Sequence, residues 1–375
     1  MAGIYIHIPF CRQACHYCNF HFVTSLRRKN ELTAALLSEI EQRKDYLKRE
    51  VIKTIYFGGG TPSLLQISDL RLQIEKVEQI FQIGGNPEIT IEVNPDDITE
   101  EKLKEWKAIG INRLSIGVQS FFDEDLEWMN RAHNSQQAVS SLQLANQYFE
   151  NISIDLIYGT PTLTNEKWKQ NVDTAISFGI PHLSCYALTV EEKTPLYKMI
   201  KQHKADDVIP EQQSEQFLLL MQWLEEAGYE HYEISNFAKP GFRSRHNSSY
   251  WSGKKYLGIG PSAHSYDGAS RQWNISNNNV YIDSISKRII SFEKEILTET
   301  QKLNEYIMTS LRTIEGLNLN SLPVDSRSVM KDAAKKFIEN GLMIGEAKYL
   351  KLTREGKLLA DGIAAELFFE DKIFS

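Results

Sequence analysis

Cys11–Arg12–Gln13–Ala14–Cys15–His16–Tyr17–Cys18 holds three of the chain's four cysteines in eight consecutive residues. Ahead of it, Ile4–Tyr5–Ile6–His7–Ile8 alternates apolar and polar side chains, the period of a strand. Pro9 ends that strand because it cannot donate to a ladder, so the thiols fall on a loop at the strand's C-terminal end. Three thiolates so placed can grip a soft metal centre. A structural zinc ion takes four protein ligands, so His7, His16 or His21 would have to supply the fourth. An iron–sulfur cluster is also held by thiolates, usually four. With three, one iron of a cubane stays open to another ligand. A disulfide framework does not fit: three neighbouring cysteines cannot pair off, and four thiols in 375 residues is far from a secreted scaffold.

The length is enough for a large core and more than one domain. A composition 42% hydrophobic and 24% charged is ordinary for a globular protein, and a net charge of −7 lacks the footprint of a nucleic-acid binder. No apolar run is long enough to span a bilayer, and no signal peptide precedes the first strand. The expected location is cytoplasmic, with peripheral contact at a membrane left open.

Strand-like runs recur at Ile4–Ile8, Thr54–Phe57, Ile89–Val93, Arg113–Val118, Ile152–Ile157 and His182–Ala187. Helix-like stretches separate them, at Asn30–Leu47, Ile67–Phe81, Thr99–Ile109, Gln136–Phe149 and Glu166–Phe178. Such alternation implies parallel βα units, and in barrel-like α/β folds function gathers at the C-terminal strand ends. There stand Gly58–Gly59–Gly60–Thr61–Pro62, a turn whose glycines let backbone approach a ligand. Glu92 and Asp155 are carboxylates near strand ends that need a partner or a ligand. Gln119 and Arg131 add an amide and a cation. Salt bridging within the barrel is the alternative use of these groups.

The C-x3-C-x2-C spacing after a first strand resembles the signature of radical S-adenosylmethionine (SAM) proteins. That resemblance implies a partial barrel of six βα units over roughly residues 1–190, a [4Fe–4S] cluster on Cys11, Cys15 and Cys18, and SAM on the open iron. The stretches Ile4–Cys11, Gly58–Ser63, Glu92–Pro95, Gly117–Ser120 and Asp155–Pro161 are similar to the oxygen-independent coproporphyrinogen III oxidase family. By that resemblance Tyr5, Gly58, Gly59, Gly60, Thr61, Glu92, Gln119, Arg131, Asp155 and Ala187 occupy SAM-contacting positions. The true oxidase carries a further cysteine two residues after the third; here that residue is Phe20. It also has an N-terminal extension, whereas here the first strand starts almost at Met1. Both departures resemble the HemW branch, whose members look like heme chaperones. Cys185, alone among apolar neighbours, reads as a buried small hydrophobe.

Past residue 190, Glu211–Ala227 reads as a helix closed by Gly228, followed by a strand at Tyr229–Ile234. Asn236–Gly260 reads as an irregular loop holding His246–Asn247–Ser248–Ser249–Tyr250–Trp251. It is similar to the H-N-x-x-Y-W motif of the HemW branch, which makes His246 a candidate heme ligand; a histidine that merely orders its loop is the alternative. The segment is expected to lie over the barrel's open side, near the cluster. Residues 297–375 read helix, helix, two short strands, helix, a winged-helix-like order. Their 11 Lys/Arg against 12 Asp/Glu give a net of −1, too little to neutralise phosphates. The expected division is a barrel core (1–235), a connecting segment (236–296) and a small C-terminal domain (297–375). The expected function is a heme chaperone carrying a cluster and SAM and delivering heme to an acceptor protein, membrane-associated or not. A coproporphyrinogen III oxidase, or a radical SAM enzyme with an unrelated substrate, is the alternative.

Overall fold

A computed structural model describes residues 2–370. Six parallel strands neighbour one another in chain order: β1 (Ala2–Ile8), β2 (Ile52–Gly59), β3 (Ile83–Val93), β4 (Arg113–Gln119), β5 (Ile152–Tyr158) and β6 (His182–Ala187). They are linked by α1 (Lys29–Gln42), α2 (Ile67–Ile80), α3 (Glu100–Ala108), α4 (Asp123–Trp128), α5 (Ser135–Ala145) and α6 (Asn165–Ser177). Each strand's period of two divides its side chains between two environments. Ile4, Ile6 and Ile8 are wholly buried in the hydrophobic core, with Leu32, Leu36 and Ile40 of α1 in the same core. Burying each such side chain is worth about 1.5–3 kcal/mol. The opposite face of the strands is polar, and its neighbours are set by register: Tyr5 beside Tyr56, Glu92 beside Ser115, Asp155 beside Ser184.

After β6 come α7 (Pro195–Lys201), α8 (Pro210–Glu226), β7 (Glu230–Glu233), β8 (Asn236–Ala238), α9 (Arg245–Trp251), β9 (Lys255–Ile259), β10 (His264–Tyr266), β11 (Ser270–Asn274), α10 (Asn278–Ser286) and β12 (Phe292–Ile296). Asn236–Gly260 is therefore not an irregular loop but holds β8, α9 and β9, which corrects the sequence reading. It supplies β8, antiparallel to β6, and β9, parallel to β1, so both edges of the six-stranded array are extended. The sheet runs β12-β11-β10-β9-β1-β2-β3-β4-β5-β6-β8-β7. Gly258 inside β9 hid that strand: a Cβ there would lie 2.1 Å from the His264 carbonyl oxygen, so the close approach of β10 demands glycine. A buried polar network pins the added strands to α1. Arg43 donates to Glu39, Gln272 and Asn274, and Tyr281 donates to Glu39.

The last part comprises α11 (Glu299–Leu311), β13 (Leu317–Asn318), α12 (Val324–Glu339), β14 (Met343–Glu346), β15 (Tyr349–Leu352), α13 (Arg354–Lys357) and α14 (Ala360–Glu366). Its small antiparallel sheet, β13-β15-β14, and its own core, including Ile307, Met330 and Phe337, give the winged-helix-like order. It is tied to β7 by Ile234 N–H donating to the Arg312 carbonyl, Ile314 N–H donating to the Tyr232 carbonyl, and an Arg312–Glu233 ion pair at 3.1 Å.

Candidate cofactor site at the barrel mouth

The loop after β1 is held from both sides. Gln13 Nε2 donates to Asn130 Oδ1 (2.9 Å), Asn130 Nδ2 donates to the Ala14 carbonyl (2.8 Å), and Arg12 pairs with Asp97 (2.7 Å). Cys11, Cys15 and Cys18 are thereby placed on the wall of a cavity of about 470 Å³ at the C-terminal strand ends. Burial pushes the Cys11 thiol up to about 11 and the Cys18 thiol upward. Among the described residues no three His, Cys, Asp or Glu side chains could hold one metal ion. The candidate zinc ligands are also engaged elsewhere: His7 with Tyr5 and the His21 carbonyl, His16 with the Trp128 carbonyl, His21 with Asn278.

The glycine turn presses against this loop. A Cβ on Gly60 would meet the Phe10 carbonyl oxygen at 2.5 Å, and Gly59 has φ +108° with the His7 ring 2.4 Å from where a Cβ would stand. Thr61 Oγ1 lies 3.6 Å from Cys11 Sγ and accepts from Asn94 Nδ2 at 3.2 Å. Arg131 donates to Cys15 Sγ (3.3 Å), Asn94 Oδ1 (2.8 Å) and the Gly117 carbonyl (2.7 Å), and its buried Nε–H has no partner among the described residues. Glu92 accepts from Tyr56 Oη (2.8 Å) and Gly59 N–H (3.0 Å). Burial raises it to about 7 and raises Asp155 to about 6. Neither acid makes a salt bridge among the described residues. Glu92, buried with no cation acting on it, suits a cationic ligand, whereas Asp155 already feels the Arg131 and Arg113 charges.

Gly59, Gly60, Thr61, Glu92, Gln119, Arg131, Asp155 and Ala187 line the same cavity as the three cysteines. Tyr5 and Gly58 lie beneath it: a Cβ on Gly58 would meet Glu92 Oε1 and the Tyr5 ring, each at 2.9 Å. Sequence reasoning missed Tyr56 and Asn94, which orient Glu92, Thr61 and Arg131. Tyr56 stands two residues before Gly58, so strand alternation places it on the polar face.

His246 lies elsewhere, and two expectations about it are corrected. It sits on the helix α9, whose N-terminus is closed by Glu88 accepting from Arg245 N–H (3.0 Å) and His246 N–H (2.9 Å). Ser244 adds the cap. Gly3 and Thr54 stand near the starts of β1 and β2, and Glu88 pairs with Thr54 on β3, so this helix packs at the end of the array opposite the cysteines. The His246 ring is 1% exposed; its Nδ1 is 2.7 Å from Thr54 Oγ1 and its Nε2 is 2.8 Å from Tyr250 Oη. Both ring nitrogens are engaged in this conformation. Cys185 is buried in the core, as read from sequence.

A polar-lined parallel array with three loop cysteines at its mouth defines a radical SAM protein. Residues 5–175 match the Radical SAM superfamily and residues 297–359 match the HemN C-terminal domain. The solved coproporphyrinogen III oxidase (HemN) from Escherichia coli, a radical SAM enzyme, superposes with a TM-score of 0.83 at 23% identity. The match covers 98% of this chain and 90% of that one. The heme chaperone HemW of Bacillus subtilis is 36% identical over 97% of this chain and 98% of its own. That of Mycobacterium tuberculosis is 32% identical over 97% and 94%. The chain belongs to the HemW family.

Proposed function

We propose that this protein is a heme-binding chaperone on a radical SAM scaffold that passes heme to an acceptor protein. The observation that carries this is the 36% identity, over nearly the full chain, to a protein named a heme chaperone. Phe20 supports it. Its side chain is 69% exposed at the cavity lip, in the position where the oxidase carries a further cysteine.

In this reading Cys11, Cys15 and Cys18 hold a [4Fe–4S] cluster, and SAM occupies the remaining space of the same cavity. Glu92 receives the SAM ammonium over a floor made by Tyr5 and Gly58. Arg131, with its unpartnered Nε–H, faces the carboxylate. Gln119, Asp155 and Ala187, which line the same cavity, would hold other polar groups of SAM, and the Gly59–Thr61 backbone would shape its wall. Bound together, cluster and SAM supply one-electron chemistry; the chain's own part is to orient and shield them. His246 can ligate heme iron only after one of its ring nitrogens is freed, Nδ1 from Thr54 or Nε2 from Tyr250. The acceptor works in the cytoplasm or at a membrane surface. No helix among the described residues is long and apolar enough to cross a membrane. The test is anaerobic cluster reconstitution followed by parallel assays of heme binding and coproporphyrinogen decarboxylation.

A further inference from the structure

A second cavity, of about 530 Å³, opens between α9 and the C-terminal part of the chain. Its walls carry Tyr266, Tyr306 and Tyr349, while Ser248 and Trp251 project into it from α9. These two belong to the stretch His246–Trp251 but stand on the side of the helix turned away from the His246 ring. Trp251 is held by the Arg312 guanidinium, 5.1 Å from its ring centroid. Arg312 itself is fixed by Glu233 and Asp361.

The hydrogen-bond inventory of this cavity is unbalanced. Trp251 Nε1–H and Ser248 Oγ–H are buried and have no partner among the described residues. A buried donor left unpaired is costly, and an indole N–H can only donate. The cations at the rim are already matched: Arg243 with Glu315 (2.7 Å) and Lys302 with Glu299 (2.7 Å). The Glu305 carboxylate on the same wall is neutralised by Arg271 (2.7 Å), so an entering anion meets two free neutral donors rather than a free charge of either sign. Phenol rings on the walls with two unpartnered donors suit a broad aromatic ligand bearing a carboxylate.

We propose that this cavity seats the heme macrocycle, with one propionate accepting from Trp251 Nε1 and Ser248 Oγ. The proposal rests on the heme-chaperone reading above and adds to it a location, at the end of the array away from the cluster. Because the seat is built from both α9 and α11, the C-terminal part becomes one wall of the heme site. A movement of that part relative to the barrel would open it for release.

The test is heme titration of the full-length, cluster-loaded protein followed by absorbance, for wild type, Trp251→Phe and Thr309→Trp. Trp251→Phe keeps an aromatic ring, a smaller one, and removes the donor; Thr309→Trp fills the cavity from α11. Thermal unfolding and SAM binding serve as checks on folding. Trp251→Phe is expected to bind heme about tenfold more weakly, the worth of a hydrogen bond to a charged group. It should bind heme dimethyl ester, which lacks the carboxylates, as well as wild type does. Thr309→Trp is expected to lose heme binding. Wild-type heme affinity in both folded variants would overturn the cavity assignment and leave the chaperone reading standing. A wild-type protein without heme affinity would overturn that reading and this one together.

Discussion

The Tyr56 ring stacks on His246 with centroids 4.9 Å apart and planes 26° from parallel. The same residue's hydroxyl donates to Glu92 at 2.8 Å. One side chain thus joins the carboxyl facing the cysteine-lined cavity to the helix that closes the far end of the array. A ligand that draws Glu92 toward itself competes with the Tyr56 bond, so the two ends of the barrel share a contact.

SAM affinity is expected to depend on pH through Glu92. Burial holds this carboxyl at about 7 in the free protein, so it is mostly neutral below that pH. A bound ammonium needs the carboxylate. Affinity should rise about tenfold per pH unit below 7 and level off above. Tyr56→Phe removes a donor that lowers the Glu92 value and should move this profile to higher pH. Glu92→Ala should cost about 3–5 kcal/mol of SAM binding. Calorimetric titration at several pH values checks this; a flat wild-type profile would remove Glu92 from the ammonium site.

Iron content should separate the four thiols. Cys15→Ser is expected to lose most bound iron and sulfide after anaerobic reconstitution. Cys185→Ser, buried in the core away from the loop, should keep both. Full iron and sulfide in the Cys15→Ser protein would contradict the cluster assignment.

Gly60→Ala should damage the cluster without touching a sulfur. Its Cβ would stand 2.5 Å from the Phe10 carbonyl and 2.8 Å from that of Ile8, backbone that can yield only by moving the cysteine loop. The expected cost is about 1–3 kcal/mol in stability, with reduced iron content. Gly85→Ala meets nothing within 4 Å and is the matched control. Equal iron and equal melting temperatures in the two variants would show that the turn does not brace the loop.

Much of this site was legible because strand alternation and loop position are local properties. The cysteine loop after β1, the glycine turn after β2, and Glu92 and Asp155 on the polar face follow from a period of two and from where each strand ends. The parts that were not legible depend on distant partners. Tyr56 acquires its role from Glu92, one strand away. The strand Lys255–Ile259 reads as loop because Gly258 is dictated by the backbone of β10 rather than by local propensity. His246–Trp251 lacks an amphipathic period because both sides of this short helix are covered, one by the barrel and one by the cavity wall.

The protein should be acid-labile well above the range of ordinary carboxylates. Burial depresses His7 to about 4, His133, His231 and His246 to about 3, and His182 well below its usual value. Unfolded imidazoles take protons below about 6.5 while these do not, so their contribution is present above that pH and is lost as pH falls. Each costs up to about 2 kcal/mol by pH 5. Glu92 and Asp155, raised to about 7 and 6, and Asp96 and Glu305, also raised by burial, act in the opposite direction, but these four do not offset five buried imidazoles. The urea midpoint is expected to drop clearly between about pH 7 and 5. An unchanged or rising midpoint would contradict the buried, neutral state of these histidines.

Releasing His246 should favour heme if its ring serves the iron. Thr54→Val removes the partner of Nδ1, and Tyr250→Phe removes that of Nε2. The cavity beside Trp251 lies on the side of α9 away from the His246 ring, so ligation by that ring is a competing placement of heme: if it operates, the combined variant shifts the heme spectrum toward an imidazole-ligated form and His246→Ala in that background abolishes the shift. An identical spectrum in all three folded proteins would exclude His246 as the ligand.

The most direct test of the heme-chaperone reading is one preparation of anaerobically reconstituted protein divided between two assays. The first is titration with heme; the second is incubation with coproporphyrinogen III, SAM and a reductant. The expected result is saturable heme binding with no carbon dioxide released from the porphyrinogen. Decarboxylation at an enzymatic rate, or no saturable heme binding, would contradict it.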